Sequence, residues 1–430
     1  MCFLTRIFLL TILFAAAPLT DVYGQESLPD EAQPAAEPAQ PERIVEGRPP
    51  LYSAKRWAHP LTWLEGAVKP IGRSAESGWI HRLVTRRPSP DKTAGIRFGA
   101  GGVGNGSGYG PRVTLFHKDF LGRKINVQIP LLYTYKRYQL YQLSASVPIG
   151  SADSTDGLSL DLGAGYLSRA QDQFFGIGND SRMEDETQYR AVTREASAGF
   201  TKDFKEDWSS SVRGVYRRIG VTKPTAGPSL QDDLDSASVP GLFGATMGSI
   251  VFSIGRDNLA KEDYAFKGGS DQLQISFNDS LSGAGFQYWR YRFASQHFFP
   301  LSNDGRKVIA VRGFVETNQT TAGRAIPFFD MPVLGTSQTL RGFQTFRFRD
   351  KTALAASLEY RYRIWPRIDL GLFVDQGQVA PQLGDLALNR FHTGYGLRLF
   401  GWLKPTSPIS IDYGRSSETW RFYVSFNPRF

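Results

Sequence analysis

Residues Trp420–Phe430, WRFYVSFNPRF, end the chain with side chains that alternate between two chemical types. Aromatic and apolar side chains fill one set of alternate positions, with Pro428 as the interruption, and mainly polar side chains fill the other set. Successive side chains of a β-strand point to opposite faces, so this segment predicts a strand with one apolar and one wet face. Such a strand suits a wall between lipid and a water-filled lumen.

The same alternation recurs from Ala94 to Phe430 in runs bounded by clusters of Gly, Pro, Asn, Asp and Ser. A soluble sandwich also alternates, but the 13% aromatic content supplies the interfacial girdles of a membrane barrel. The sequence therefore predicts an all-β fold, a 16-stranded antiparallel transmembrane β-barrel over residues 93–430 with a short N-terminal periplasmic extension. The predicted runs start near Ala94, Gly110, Arg123, Gln139, Gly157, Tyr189, Trp208, Gly244, Ser270, Gly285, Lys307, Thr352, Ile368, His392, Pro408 and Trp420.

The lengths of the connections give the predicted barrel two different ends. If the N-terminus is periplasmic, the connections that follow odd-numbered strands are external, and those that follow even-numbered strands are mostly short. Gly255–Gly269 is the exception among the short ones. The predicted long external connections are Ala170–Gln188, Ile219–Phe243, Gln319–Lys351 and Ala380–Phe391. Sixteen strands enclose a lumen that water or a plug must fill.

Residues 1–24 are predicted to be a signal peptide. Arg6 precedes an apolar core, Ile7–Ala17, that is too short to span a bilayer, and small residues favour cleavage after Gly24. The single cysteine, Cys2, would leave with this segment. No disulfide or thiolate metal site is therefore expected in the mature chain.

Residues 25–50 are predicted to be a flexible linker, because they are rich in Pro, Ala and Glu. Residues 51–92 are predicted to be a short periplasmic or lumen-plugging segment, in which apolar residues near helical spacing favour short amphipathic helices. Two alternatives remain for this segment. It packs against the mouth of the barrel, or it lies at an interface or in the lumen.

Composition and spacing argue against several functional classes. The net charge of +9 is spread through strand-like segments without a Lys/Arg block, so nucleic acid is not an expected partner. The five histidines lack metal-ligand spacing, and neither a metal nor a cofactor is expected. Gly99–Gly104 spells GxGxxG, but no helix follows it, so a dinucleotide site is not predicted. No GxSxG pattern is present, and the chain is not expected to be an enzyme.

Four short motifs resemble those of the bacterial surface antigen family, the BamA/TamA-like outer-membrane barrels. They are Leu340-Arg341-Gly342-Phe343, similar to the tip of the family's sixth extracellular loop; Phe373–Gly377, FVDQG, similar to the FxDxG motif of strand 13; Glu359, at an acidic position of strand 12; and Gly255–Asn258 with Gly268-Gly269, similar to the RDN turn. The resemblance extends from about Ala94 to Phe430. Each motif falls at the strand or loop that the predicted strand order gives it.

A physical reason for the loop motif can be stated from the residues themselves. An arginine carried into a lumen needs anionic partners, and Glu359 and Asp375 lie on neighbouring predicted strands. Gly342 lets the backbone approach the wall closely, and Phe343 can pack beside it. Phe373 and Gly377 belong to the wall that receives the tip, and the Phe373 ring suits a guanidinium. The alternatives are a solvated loop arginine and a lumen carboxylate without a special partner.

The resemblance implies a protein of the Gram-negative outer membrane that takes part in insertion or translocation of protein or lipid. It implies a gated barrel whose sixth extracellular loop folds inward. The expected partners are outer-membrane lipid, lipopolysaccharide, and a client protein or a separate periplasmic partner. Residues 43–90 are too short and irregular for a polypeptide-transport-associated domain, so a barrel-only member is expected. The alternative function is a plain gated pore or a structural barrel without insertase activity.

The seam between the first and last strands is predicted to be the weakest closure of the barrel. Gly99, Gly101 and Gly102 lie in the glycine-rich first strand region, and glycine weakens strands. Pro428 in the last strand cannot donate to a ladder, and Phe430 ends the chain. In the resembling insertases this seam is a lateral gate, where a client strand pairs with an exposed edge. The alternative is that the glycines serve a hairpin turn and barrel curvature.

Overall fold

A computed structural model describes residues 93–104, 106–150, 157–204, 207–234, 238–262, 265–302, 304–321, 323–404 and 407–426. The predicted signal peptide, the linker, residues 51–92, Pro428 and Phe430 lie outside the described residues. The longest helix in the described part of the chain is Leu230–Asp233. No described helix is long and apolar enough to cross a membrane.

Sixteen antiparallel strands in one sheet form the fold, as the sequence predicts, and each pairs with the next along the chain. They are β1 (Ala94–Gly101), β2 (Gly110–Phe120), β3 (Ile125–Tyr133), β4 (Gln139–Ile149), β5 (Leu158–Phe174), β6 (Thr187–Asp203), β7 (Trp208–Thr222), β8 (Gly244–Asp257), β9 (Ala265–Ser280), β10 (Gln287–Pro300), β11 (Lys307–Thr320), β12 (Thr352–Trp365), β13 (Ile368–Ala380), β14 (His392–Lys404), β15 (Ser407–Arg415) and β16 (Trp420–Phe426). Short strands at Ala260–Glu262, Val333–Leu334 and Phe348–Arg349 lie outside this series.

The two ends of the barrel differ in the length of their connections. Residues 175–186, 223–243, 321–351 and 381–391 connect strands at one end, called here the long-loop end. Connections such as 121–124 and 366–367 lie at the other, the short-turn end. The first long loop begins later than predicted, because β5 continues to Phe174 past a bulge. The ladder shifts register between Arg169 and Asp172. The alternation of side chains with period two is interrupted there, so the sequence pattern does not indicate the last residues of β5.

The turn between β8 and β9 is longer than the others at its end because it forms a small hairpin of its own. Ala260–Glu262 pairs with the start of β9, which begins at Ala265 rather than near Ser270. The side-chain oxygen of Asn258 accepts a hydrogen bond from the Gly269 amide at 2.8 Å. Gly268 has a φ of +79°, and a Cβ there would lie 2.4 Å from the Asn258 carbonyl oxygen. The predicted exception is thus a turn that only glycine can close.

The sheet has an apolar outer face and a polar inner face. Tyr216, Ile250, Leu372 and Phe422 are exposed on the outer face, with 49%, 62%, 42% and 62% of their surface accessible. Aromatic side chains meet on this face near the long-loop end, where the ring pairs are Tyr141–Tyr166, Phe277–Trp289 and Trp420–Phe422. The inner face carries buried Arg, Glu, Asp and Ser side chains. This arrangement is typical of a transmembrane barrel.

The first and last strands meet differently from the other neighbours. Ladders join consecutive strands from β1 to β16, but within residues 94–101 and 420–426 none joins β1 to β16. A side chain spans this seam instead, since the Tyr109 hydroxyl donates a hydrogen bond to the Val424 carbonyl oxygen. Backbone groups at an unpaired edge are free to pair with another strand.

The two-faced pattern gives a direct test. Phe252 lies mid-way along β8 on the outer face, and its neighbour Ser253 faces inward. Phe252→Arg is expected to lower the free energy of unfolding in a phospholipid bilayer by about 2–4 kcal/mol, because it places a charge in hydrocarbon. Ser253→Arg is the matched control and is expected to cost less than half as much. Equal losses in urea unfolding of the two variants would contradict the assignment of faces.

Candidate functional site

The loop that joins β11 to β12, residues 321–351, is the sixth connection at the long-loop end and is called loop 6 here. Its chain is ordered by a 3₁₀ turn at Phe328–Asp330 and by a two-stranded antiparallel pair of Val333–Leu334 with Phe348–Arg349. The side chains at its tip, Leu340–Phe343, are buried. The tip packs against the inner face of the wall rather than projecting from the barrel.

The tip is held by an apolar cluster that joins the loop to β12 and β13. Its buried members are Leu334, Leu340, Phe343, Phe348, Ala353, Ala355 and Val379. Within the loop, the Thr336 carbonyl oxygen accepts a hydrogen bond from the Leu340 amide at 3.2 Å. Burying four large apolar side chains stabilises the folded loop by an amount on the order of several kcal/mol.

Glycines in the loop and in the wall make this close approach possible. Gly342 has a φ of +89°, and a Cβ there would lie 2.5 Å from the backbone of Arg415. In the wall, a Cβ at Gly394 would lie 2.0 Å from the Arg341 carbonyl oxygen, and one at Gly414 would lie 2.8 Å from the Gly342 amide. A Cβ at Gly377 would lie 2.9 Å from the Leu334 side chain. A larger residue at these positions would push the tip away from the wall.

Arg341 makes the densest set of polar contacts at the tip. Its Nε and Nη2 atoms donate to the two carboxylate oxygens of Asp375, each at 2.7 Å, and its backbone amide donates to the same group at 3.0 Å. Nη2 also donates to the Ser357 hydroxyl at 3.1 Å, and Nη1 donates to Glu359 at 3.4 Å. The guanidinium carbon lies 3.3 Å from the centroid of the Phe373 ring. A fork-to-fork pair and a stacked ring fix the guanidinium in both position and tilt.

Two further arginines extend the pair into a buried ionic network. Arg361 Nε donates to Glu359 at 2.6 Å, and Arg398 donates to Glu359 at 3.0 Å and to Asp412 at 2.7 Å. Arg341 also lies 3.6 Å from Asp412. Burial would lower the pKa of Arg341, but Asp375 and Glu359 outweigh it and raise the pKa above its ordinary value. The charge on Arg341 is therefore retained inside the protein.

Arg361, Arg398 and Asp412 are not among the residues that the sequence motifs indicate. Arg361 follows Glu359 by two residues and so shares its face of β12, which was a readable signal. Arg398 and Asp412 are cross-strand partners on β14 and β15. Their pairing depends on the register of the two strands, which no local sequence pattern indicates. The four wall residues that the motifs indicated, Glu359, Phe373, Asp375 and Gly377, all contact loop 6.

A second ionic contact holds the base of loop 6. Arg217 donates to both carboxylate oxygens of Asp330, at 2.7 and 2.6 Å, and the Tyr288 hydroxyl donates to the same group at 2.7 Å. Arg290 donates to the Asp330 carbonyl oxygen at 2.5 Å. Burial alone would raise the pKa of Asp330, but Arg217 and Arg290 outweigh it and lower the pKa below its ordinary value.

Loop 6 also reaches the last hairpin of the barrel. The Gly342 amide donates to the Tyr423 hydroxyl at 3.2 Å, and the Ser416 hydroxyl donates to the Gly342 carbonyl oxygen at 2.8 Å. Arg347 forms a bidentate pair with Glu418 at 2.8 and 2.9 Å. The tip therefore bridges the wall at β12 and β13 to β16, the strand beside the seam.

The glycines predicted at the seam fall into two groups. A Cβ at Gly102 would lie 2.6 Å from the Gly108 carbonyl oxygen, so this glycine serves the tight turn after β1. Gly99 and Gly101 have no atom within 4 Å of a Cβ position, so neither is required by packing.

The GxGxxG pattern begins inside β1 and opens no helix. In the described ranges no group of three or more His, Cys, Asp or Glu side chains could hold a metal ion.

The family model for the Omp85 superfamily domain matches residues 119–430, more than half of the chain. The chain belongs to the Omp85 superfamily. The prediction of a BamA/TamA-like barrel is thereby confirmed. Members of this superfamily sit in the lipid outer membrane of Gram-negative bacteria, act with client proteins or partners, and are insertases and transporters.

Solved structures give a likeness of fold. BamA from Haemophilus ducreyi lacking POTRA domains 1–3 has a TM-score of 0.59 and 18% identity, over 78% of this chain and 70% of that one. CdiB from Acinetobacter baumannii has a TM-score of 0.47 and 11% identity, over 78% of this chain and 65% of that one, which is just under two thirds of its length. No curated protein sequence matches this chain.

The Arg341 network gives a prediction for stability. Arg341→Ala is expected to lower the free energy of unfolding by about 3–5 kcal/mol, because it leaves Asp375 buried without its counter-ion. Asp375→Ala is expected to cost a similar amount. The double variant is expected to fall short of the sum by about 1–3 kcal/mol, because the two residues form one unit. Denaturant unfolding of the folded barrel in detergent micelles measures all three.

The control for this cycle is Arg182→Ala, which breaks the exposed ion pair with Glu184. An exposed pair contributes about 0–1 kcal/mol, so this variant is expected to unfold almost as the parent does. Strictly additive losses for Arg341→Ala and Asp375→Ala would contradict a direct pairing in solution.

The Asp330 contact gives a prediction for acid stability. A carboxylate with a lowered folded-state pKa contributes stability above the ordinary value of about 4, and this contribution is lost as the pH falls through the folded-state pKa. Asp330→Asn is therefore expected to flatten the loss of unfolding free energy below about pH 4. Urea unfolding as a function of pH measures this slope. Asp232→Asn, which alters an exposed aspartate paired with Lys223, is the control. An unchanged slope in Asp330→Asn would argue against the contact.

Proposed function

We propose that this protein inserts or translocates protein, or lipid, at the outer membrane through a barrel that opens at the β1–β16 seam under the control of loop 6. The observation that carries the proposal is the position of the loop tip. Arg341 is bound to Asp375 on β13, and the adjacent Gly342 is bound to Tyr423 on β16. One short segment thus connects β13 to β16, the strand that borders the seam.

The unpaired edge at the seam supports this role chemically. Within residues 94–101 and 420–426 no ladder joins β1 to β16, and Ala100 and Val424 both lie on the outer, lipid-facing side. A client strand that pairs with either edge would gain the hydrogen bonds that a strand in hydrocarbon must make. The Tyr109–Val424 contact, made by one side chain, is a weak closure that such a strand can replace.

Loop 6 supplies the resistance to opening in this proposal. Its contacts at Asp330, Arg341 and Arg347 hold it to three separate parts of the barrel. The long-loop end would face the cell exterior and the N-terminal extension the periplasm. The client, or a separate partner that delivers it, would approach from the periplasmic side. Enzymatic activity is not part of this function.

A cross-link at the seam tests the proposal. Ala100→Cys with Val424→Cys, joined by a reducible bifunctional thiol reagent in detergent, is expected to abolish assembly of an added unfolded barrel protein into proteoliposomes. Reduction of the cross-link is expected to restore it. The controls are the two single-cysteine variants treated with the same reagent.

Full assembly activity in the cross-linked barrel would contradict a lateral opening. The alternative function, a plain gated pore or a structural barrel, predicts no assembly activity in any form of the protein. In that case the planar-bilayer conductance of Arg341→Ala against the parent shows whether loop 6 gates a pore.

A further inference from the structure

The outer surface of β6 and β7 carries two arginines directly opposite each other. Arg194 and Arg218 are cross-strand partners, and both are exposed. Their flanking partners are Tyr166 on β5 and Thr246 on β8, so no acidic residue sits beside them in this row. Among the described residues no hydrogen bond or ion pair joins either arginine to a carboxylate. Like charges directly opposite in a sheet are destabilising unless something neutralises them.

These arginines lie at the edge of the apolar band. Trp208 and Tyr216 bound a nine-residue span of β7, and the outward-facing positions between them are Ser210, Val212 and Gly214. Nine to eleven residues of a tilted strand cross the hydrocarbon, and aromatic residues mark its interfaces. Arg218 comes two residues after Tyr216, towards the long-loop end. The pair is therefore at the level of lipid headgroups.

A groove of about 600 Å³ opens on the same surface, in the rows next to the arginines towards the middle of the band. Its floor is made of small residues, because Ala196, Ala198, Gly214 and Gly248 occupy neighbouring outward positions on three strands. Its walls are larger apolar side chains, which are Tyr216, Ile250, Phe277 and Leu281. Asp279 also lines it, on β9, two strands away from Arg218.

We propose that Arg194, Arg218 and this groove form a binding site for a phosphorylated glycolipid of the outer leaflet, with its phosphate on the arginine pair and one acyl chain in the groove. The charge and shape of the surface match that occupant. Two guanidinium groups at headgroup level bind phosphate oxygens, and an apolar channel beneath them accepts a hydrocarbon chain. This inference rests on the proposed orientation of the long-loop end towards the outside, but not on insertase activity.

The site would place a firmly held lipid on the wall opposite the seam in strand order, at β6–β9. Bound lipid there neutralises the arginine repulsion and makes this wall more rigid than the seam. A stabilised wall would help direct any opening of the barrel to β1 and β16.

Direct binding of lipid A by the purified full chain in detergent micelles is the first measurement. Replacement of one arginine in Arg194→Gln or Arg218→Gln is expected to weaken binding on the order of five-fold, and the double variant by about 25-fold. Lipid A stripped of its phosphates is expected to bind as weakly to the parent as lipid A does to the double variant. Arg256→Gln is the control, since this outward arginine of β8 lies at the short-turn end opposite Asp271. It is expected to bind as the parent does.

The groove has its own variant. A Cβ at Gly214 would have one atom within 4 Å, the Ala198 carbonyl oxygen at 3.8 Å, so the backbone leaves room for Gly214→Leu. This variant fills the groove and is expected to reduce binding several-fold. Gly313→Leu, at an outward position of β11 that is equally open, is the matched control. The thermal unfolding midpoint of each variant shows that it is folded.

The effect of Arg194→Gln on the unfolding midpoint distinguishes lipid binding from a charge pair that is merely tolerated, because the effect should reverse its sign when lipid A is present. In phosphatidylcholine vesicles Arg194→Gln is expected to raise the unfolding midpoint, because it removes repulsion. In vesicles that contain lipid A it is expected to lower the midpoint relative to the parent.

Four outcomes would overturn the proposal. The first is unchanged lipid A binding in the double variant, and the second is equal binding of phosphorylated and dephosphorylated lipid A. The third is full displacement of lipid A by millimolar inorganic phosphate together with unchanged lipid A binding in Gly214→Leu, which would identify a simple anion site. The fourth is a dimer of the parent that Gly214→Leu dissociates, which would make a second copy the occupant.

Discussion

The structure depends on keeping the charge of Arg341 inside the protein. A guanidinium with no exposed surface is tolerated only if several anionic and planar groups surround it, and Asp375, Glu359 and the Phe373 ring do so. That requirement fixes loop 6 against the inner wall with little positional freedom. It also explains the glycines, because the approach that the ion pair demands leaves no room for a Cβ at Gly342, Gly394 or Gly414.

The contacts of loop 6 join separate strands of the barrel to one another. Loop 6 holds parts of the wall that are distant in strand order, since Asp330 binds β7 and β10 while Arg341 binds β12 and β13. Gly342 and Arg347 then reach the last hairpin, which borders the unpaired edge. Every other junction between neighbouring strands is a hydrogen-bonded ladder, whereas within residues 94–101 and 420–426 no ladder joins β1 to β16.

The outer surface obeys a different constraint, the match to lipid. The outward positions between Trp208 and Tyr216 are uncharged, and charge reappears directly beyond Tyr216 at Arg218. The small residues beneath Arg194 and Arg218 interrupt an otherwise bulky surface. A groove that begins at a pair of like charges is difficult to explain by packing, since nothing in the fold of the described strands requires either feature.

The sequence by itself determined the barrel, its sixteen strands and many of their first residues, such as Ala94, Trp208 and Thr352. This was possible because a wall between lipid and water imposes a period of two on every strand, and that period is local. It also indicated Arg341 and Asp375 through short motifs. It ended β5 too early and started β9 too late, where a bulge and a small hairpin break the period.

Only the tertiary structure decided what depends on register. The ionic partners Arg398 and Asp412, the contact from Gly342 to Tyr423 and the opposition of Arg194 to Arg218 join strands or loops whose alignment no local pattern encodes. A shift of one residue would turn each of these side chains to the other face, so the alignment is set by the whole sheet. The sequence supplied the charges, and the register of the sheet decided which of them meet.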